Sequence, residues 1–251
     1  PPSGGWMRAC FWIFTGLIAL PTAAEATTWS VCASGCDYLD VSSAVANVST
    51  TDGDTIEVDA GLYPFDVDVG KSVEVVGVDG RDSTFLFGGG SIHTAIFNGA
   101  NVTIRGVTIG GPGTQKCILV SQNSTLNLDD VQVQYCTTES QGAGLKVDAG
   151  STANLTNTDF FSNDSGALAG GHIYSAGTLT ITDGSFALGK SDLSGAIHLA
   201  ADSVSVLTRV SFTGNTSGDI GGAVRVENGS LDCEDCEFFA NLATAGGGAV
   251  A

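Results

Sequence analysis

Leu155-Thr156-Asn157-Thr158-Asp159-Phe160-Phe161-Ser162-Asn163 opens a pattern that returns every 26 residues. Its first apolar position recurs as Ile181, Leu207 and Cys233. Its phenylalanine recurs as Phe186, Phe212 and Phe238, and its final position as Gly189, Asn215 and Asn241. Three columns held in register over four copies mark a repeat protein. Within each copy the runs are short and alternate, as in Leu179-Thr180-Ile181, and Gly, Asn, Asp and Ser interrupt them every few residues. That pattern suits strands and leaves no room for helices of ten or more residues.

A unit of this size with two or three short strands cannot bury its own apolar face. Stacked copies can, because each strand then pairs with its equivalent in the next coil, about 4.8 Å away. Equivalent strands run the same way, so the pairing is parallel. The expected fold is therefore all-β, a right-handed parallel β-helix with coils of about 24–27 residues. The phenylalanines should stack inside the cylinder, each contributing about 1.5–3 kcal/mol by burial. Upstream, Ile104 with Ile109, Leu128 with Val133 and Val73 with Val78 continue the apolar pairing. Leu39, Val41, Ala44, Val45 and Val48 fit a helical spacing instead. A short helix over Asp37–Val48 would cap the first coil and hide its strand edge.

The start of the chain reads as an export signal. Arg8 precedes the apolar run Cys10–Leu20, and Ala24-Glu25-Ala26 offers small residues where a signal peptidase cuts. Met7 is the expected start codon. The chain thus divides into residues 1–26 (upstream sequence and signal), 27–53 (N-terminal cap) and 54–251 (β-helix). The last residues, Gly247-Gly248-Ala249-Val250-Ala251, stop within a repeat, which suggests a piece of a longer protein.

Twenty-seven acidic against nine basic residues give a formal net charge of −18. Such a surface repels nucleic acid and anionic lipid, so neither is an expected partner. The acidity reads first as a solvated surface and second as calcium binding; no other cofactor is indicated. Cys10 leaves with the signal, and Cys32, Cys36, Cys117, Cys136, Cys233 and Cys236 remain. An even count in an exported chain favours disulfides, with Cys32–Cys36 the first local pair and the rest open. Cys233 and Cys236 can join only if Glu234-Asp235 turns, because an extended run holds their Cα atoms about 10 Å apart. Asn-x-Ser/Thr triplets stand at Asn47, Asn101, Asn123, Asn154, Asn163, Asn215 and Asn228.

Two motifs alternate along the regular coils. Phe-x-x-Asn occurs at Phe160/Asn163, Phe212/Asn215 and Phe238/Asn241. A paired-glycine motif follows at Gly170-Gly171-His172-Ile173, Gly221-Gly222-Ala223-Val224 and Gly247-Gly248-Ala249-Val250, with a degraded copy at Ser194-Gly195-Ala196-Ile197. Over residues 155–251 the chain resembles the polymorphic outer membrane protein family and its FxxN and GGA(I/V) repeats. The resemblance implies a β-helix displayed on a bacterial surface, with an adhesin-like role and a cell-surface protein or glycan as ligand. Residues 53–77, from Gly53-Asp54 through Gly61 to Gly77, look more generally like pectin-lyase-type β-helices. Physically, an asparagine suits a left-handed corner and a ladder to its equivalent one coil on. Glycine pairs supply positive φ and allow close approach between coils.

Catalytic chemistry is weakly indicated. Asp129-Asp130 is the best carboxylate pair, with Asp232, Glu234 and Asp235 as a second cluster. Adjacent strand residues point to opposite faces, so Asp129 and Asp130 should diverge unless a turn intervenes. Arg105, Arg209 and Arg225 sit in no recognisable catalytic motif. His93, His172 and His198 are the only histidines; His172 and His198, 26 apart, could stack in adjacent coils. No catalytic or metal-binding residue is assigned. The leading reading is an exported, non-catalytic recognition scaffold; the alternative is a carbohydrate-active β-helix enzyme, a polysaccharide lyase or glycoside hydrolase.

Overall fold

The computed structural model describes residues 25–88, 94–96, 98–111 and 116–251. Through them the chain winds as an all-β parallel β-helix. The long sheet runs in order through Thr28–Val31, Thr55–Val58, Glu74–Gly77, Asn101–Gly110, Thr125–Gln134, Thr152–Phe161, Thr178–Ala187, Val204–Thr213 and Ser230–Glu234. Each strand pairs in parallel with its equivalent in the next coil. A second sheet stacks three-residue strands, including Ile118–Val120, Leu145–Val147, Ile173–Ser175, Ile197–Leu199 and Val224–Val226. Two-residue strands at Lys190–Ser191, Thr216–Ser217 and Leu242–Ala243 form a third.

The apolar columns lie five residues apart, an odd separation that a flat strand would place on opposite faces. A bend resolves the conflict. In the middle of each ten-residue strand one residue is left-handed: Gly106, Asp130, Asn157, Asp183 and Arg209, with Asp235 equivalent in the last coil, at φ 47–65°. That single reversal brings both Leu155 and Phe160 inside, where they are 1 % exposed. The phenylalanine rings lie above one another. Phe160–Phe186, Phe186–Phe212 and Phe212–Phe238 have centroids 5.0, 5.1 and 5.0 Å apart and planes within 17° of parallel.

Upstream, the expected pair Val73/Val78 is displaced. Val75 pairs with Ile104 and Leu86 with Ile109, while Val78 is 48 % exposed. Residues 78–83 form a loop between the two halves of this coil, Glu74–Gly77 and Thr84–Phe87, so the second apolar column resumes after it.

The capping helix is shorter than its apolar spacing suggests. It covers only Val41–Ala46, burying Val41, Ala44 and Val45 against the first coil. Leu39 and Val48 lie outside the helix and are exposed. Asp40 caps its start through the Ser43 N–H at 2.7 Å, and Asn47 ends it in an extended conformation. The first coil also reaches into residues 27–53, since Thr28–Val31 already pairs with Thr55–Val58.

Asp54 ties this end together. Its carboxylate accepts the Thr27 and Thr51 N–H groups at 2.7 and 2.8 Å and the Trp29 indole N–H at 3.0 Å. Burial opposes the charge, but these donors prevail and hold the pKa below the ordinary carboxylate value. A carboxyl depressed on folding stabilises above its unfolded pKa, and the contribution disappears as pH falls through the folded pKa. Asp54→Asn should therefore lower stability by about 1–3 kcal/mol at neutral pH. Urea unfolding at several pH values should show the deficit shrinking in acid; a deficit independent of pH would assign it to packing rather than charge.

The six cysteines form Cys32–Cys36, Cys117–Cys136 and Cys233–Cys236, with Cα separations of 5.6, 5.7 and 5.9 Å. The last pair closes across the bend, where Asp235 has φ 52°.

Candidate functional site

The repeat motif is an internal brace. Asn163 accepts the Cys136 N–H at 2.9 Å and donates to the Val133 carbonyl at 3.0 Å. Asn215 does the same with Gly189 and Phe186, and Asn241 with Asn215 and Phe212. Each side-chain amide thus holds the corner backbone of the preceding coil. The expected left-handed asparagine is corrected: the left-handed residue comes one position earlier, at Ser162, Leu188, Gly214 and Ala240. A direct asparagine-to-asparagine bond occurs at Asn215–Asn241. Asn163 and Asn215 are fully buried, leaving no room for a glycan on either.

The glycines divide the work at the opposite corner. Gly170, Gly221 and Gly247 have φ of 72, 69 and 63°. A Cβ on Gly171 or Gly222 would overlap the carbonyl oxygen of Gly195 or Gly248 in the next coil.

His172 and His198 are not stacked. The second sheet steps by 24 residues here, pairing Tyr174 with His198. His172 instead points inward, fully buried, with Nδ1 2.9 Å from Asn163 Nδ2 and Nε2 3.2 Å from Asn215 Oδ1. It fills the ladder in the coil where Gly189 replaces asparagine. Burial pushes its pKa down to about 3, against smaller opposing hydrogen bonds. His93 lies outside the described residues, as does the expected signal segment through Ala24.

Two stripes of polar side chains run along the coils. One follows the bend. Arg81, from the loop at 78–83, reaches Asp130 at 3.4 Å and Asp159 at 2.9 Å. Asn157 donates to Asp130 at 3.1 Å, and Asp159 accepts from Ser185. One coil further, Arg209 grips Asp183 with two bonds of 2.6 and 2.8 Å, holding its carboxyl below the ordinary range. A shallow cleft follows, lined by Arg209, Ser211, Asp235 and Glu237. Asp130 is itself the left-handed residue, so the turn named as the exception to a divergence of Asp129 and Asp130 falls at this pair. Asp232 and Glu234 are exposed in the last coil. Arg105 pairs with Glu74 at 3.1 Å.

The other stripe crosses the second sheet. Lys146, Tyr174, His198 and Arg225 occupy one register position in four successive coils. The Tyr174 and His198 rings stack at 5.3 Å. His198 Nε2 lies 3.1 Å from Glu227, and Arg225 pairs with Asp219 at 3.2 Å. Burial pushes the His198 pKa down despite Glu227. The grouping of Cys32, Cys36 and Asp59 offers two disulfide sulfurs, which are not the thiolates a metal requires. No helix among the described residues is long and apolar enough to cross a membrane.

No family model matches this sequence, and no curated protein matches it. Among solved structures, the PL6 family alginate lyase AlyGC and a single-residue variant of it are similar, with TM-scores of 0.47 and 0.48 at 12 % identity. Each match covers 91 % of this chain and 40 % of the lyase chain. This chain therefore spans less than half the length of either structure. The class defined by the coil register is the parallel β-helix.

Proposed function

We propose that this chain is an exported, non-catalytic scaffold for surface recognition or adhesion, of the kind its FxxN and paired-glycine repeats resemble. The observation carrying this reading is the bend stripe. Its cations are engaged with carboxylates of other coils: Arg81 with Asp130 and Asp159, and Arg209 with Asp183. Charges locked against one another on a rigid sheet present a fixed pattern to a partner rather than a free acid and base. The ligand on this reading is a cell-surface protein or glycan. Purified protein should bind intact cells or a glycan panel saturably; no binding to either would remove the recognition role.

A second reading, a carbohydrate-active enzyme, draws on one feature, the convergence of Asp130 and Asp159 on Arg81. The scaffold reading expects no turnover of uronate or neutral glycans by the protein and none by Asp130→Asn. Product formation by the unaltered chain that disappears in Asp130→Asn would replace the scaffold with the enzyme.

A further inference from the structure

A cleft of about 320 Å³ opens beside the long sheet, and its lining includes Leu62, Phe85, Phe87, Gly110, Gln134 and Tyr135. No residue of that lining is charged, in a chain with a net charge of −18. The strand register explains the space. Thr84–Phe87 meets the next coil through Phe85–Thr108 and Leu86–Ile109, and Gly110 pairs with Gln134 one coil further. Phe87, Gly110 and Gln134 thus follow one another in a single column, and the middle coil supplies no side chain. Nor can a larger residue close the gap, because a Cβ on Gly110 would overlap the Gln134 carbonyl oxygen. Two coil spacings, about 10 Å, separate the flanking backbones. Inside the cylinder, phenylalanine rings one coil apart stack at 5.0–5.1 Å. A one-coil gap therefore has the thickness of one six-membered ring. Tyr135 is 40 % exposed and is braced from the next coil by the edge of Phe161 at 5.7 Å. Its hydroxyl and the Gln134 amide have no hydrogen-bond partner among the described residues.

We propose that this cleft seats one uncharged pyranose ring of a glycan, with its C–H face against the aromatic walls and its hydroxyls toward Gln134 and Tyr135. A pyranose combines a flat apolar face with a rim of hydroxyls. That combination matches apolar walls carrying two free polar groups, in a cleft at the small end of the ligand-binding range. An apolar side chain from a protein partner would use the walls but not the amide. A uronate or sulfated sugar would find no cation in this lining and would meet the field of an acidic chain. The assignment rests on the recognition reading and deepens it, naming an uncharged sugar as the ligand and this cleft as its seat.

Isothermal titration of the full chain with maltotriose, cellotriose, mannotriose, galactotriose and trigalacturonate, at constant ionic strength, tests the cleft. Saturable binding of at least one neutral trisaccharide, tighter than that of trigalacturonate, is expected. Tyr135→Ala should weaken it at least tenfold and keep the fold, because Ala240 already takes the equivalent left-handed corner at φ 53°. Gln134→Ala should weaken it as well and provides the test if Tyr135→Ala fails to fold. Phe239→Ala, at an exposed ring further along the same column, should leave binding unchanged. Absence of binding by every neutral sugar, equal or tighter binding of trigalacturonate, or full binding by a folded Tyr135→Ala or Gln134→Ala would overturn the assignment. Cell binding lost in Tyr135→Ala with no sugar bound would also overturn it, giving the cleft to a protein partner. Cell or glycan-panel binding that survives in Tyr135→Ala would leave the recognition reading standing without this cleft.

Discussion

Phe212→Ala should lower the free energy of unfolding by about 3–5 kcal/mol. The ring is fully buried, with Phe186 above it at 5.1 Å and Phe238 below it at 5.0 Å. Truncation removes burial and two stacking contacts together. The vacancy cannot readily collapse, because coil spacing is set by the parallel ladder pairing Phe212 with both neighbours. Phe239→Ala is the control: that ring is 72 % exposed and its loss should change stability by no more than about 0.5 kcal/mol. Urea unfolding of the two variants separates the cases. A Phe212→Ala deficit below about 1 kcal/mol would take the ring out of the stack.

The second large effect is a coupled one. His172→Ala should cost about 3 kcal/mol, since it opens a space in the core and leaves Asn163 Nδ2 and Asn215 Oδ1 short of a partner. Gly189→Asn alone should also destabilise, because a Cβ at Gly189 would stand 2.5 Å from the imidazole and 2.5 Å from the Gly195 carbonyl oxygen. Combined, the substitutions should compensate in part: the clash with the ring goes and a new amide takes its place, while the overlap with the Gly195 carbonyl oxygen stays. Recovery of about 2 kcal/mol or more over the sum of the single changes is expected. The titration of His172 gives an independent readout. Its folded pKa of about 3 lies below the ordinary 6.5, so between those values the unfolded chain binds the extra proton. Stability therefore falls as pH drops through that window, by about 1.4 kcal/mol per unit from this group. The slope should diminish in the double variant by that amount. Additive single effects, with an unchanged slope, would deny His172 its place in the ladder.

Much of the architecture was legible from spacing. The columns headed by Leu155, Phe160 and Asn163 coincide with the observed register, because neighbours in a solenoid are one coil apart along the chain. The bend was also encoded, in the odd five-residue interval between two inward columns and in the Asp130, Asn157 and Asp183 series, but a strict two-residue alternation hid it. Val73/Val78 misled because a loop entered one coil, and a spacing argument cannot see which half resumes the column. The capping helix was overextended because apolar spacing says nothing of where Asp40 and Asn47 end it.

By itself, then, the sequence determined the parallel β-helix, its coil length and the inward phenylalanine stack, since all three follow from periodicity in one dimension. The tertiary structure alone decided which side chains meet across the cylinder or over its bend. His172 joins Asn163 and Asn215 at separations of 9 and 43 residues, neither a multiple of the coil. Arg81 likewise reaches carboxylates of two later coils from the loop at 78–83. Such contacts depend on side-chain length, corner geometry and the absence of a Cβ in the path, and those quantities leave no period in the chain.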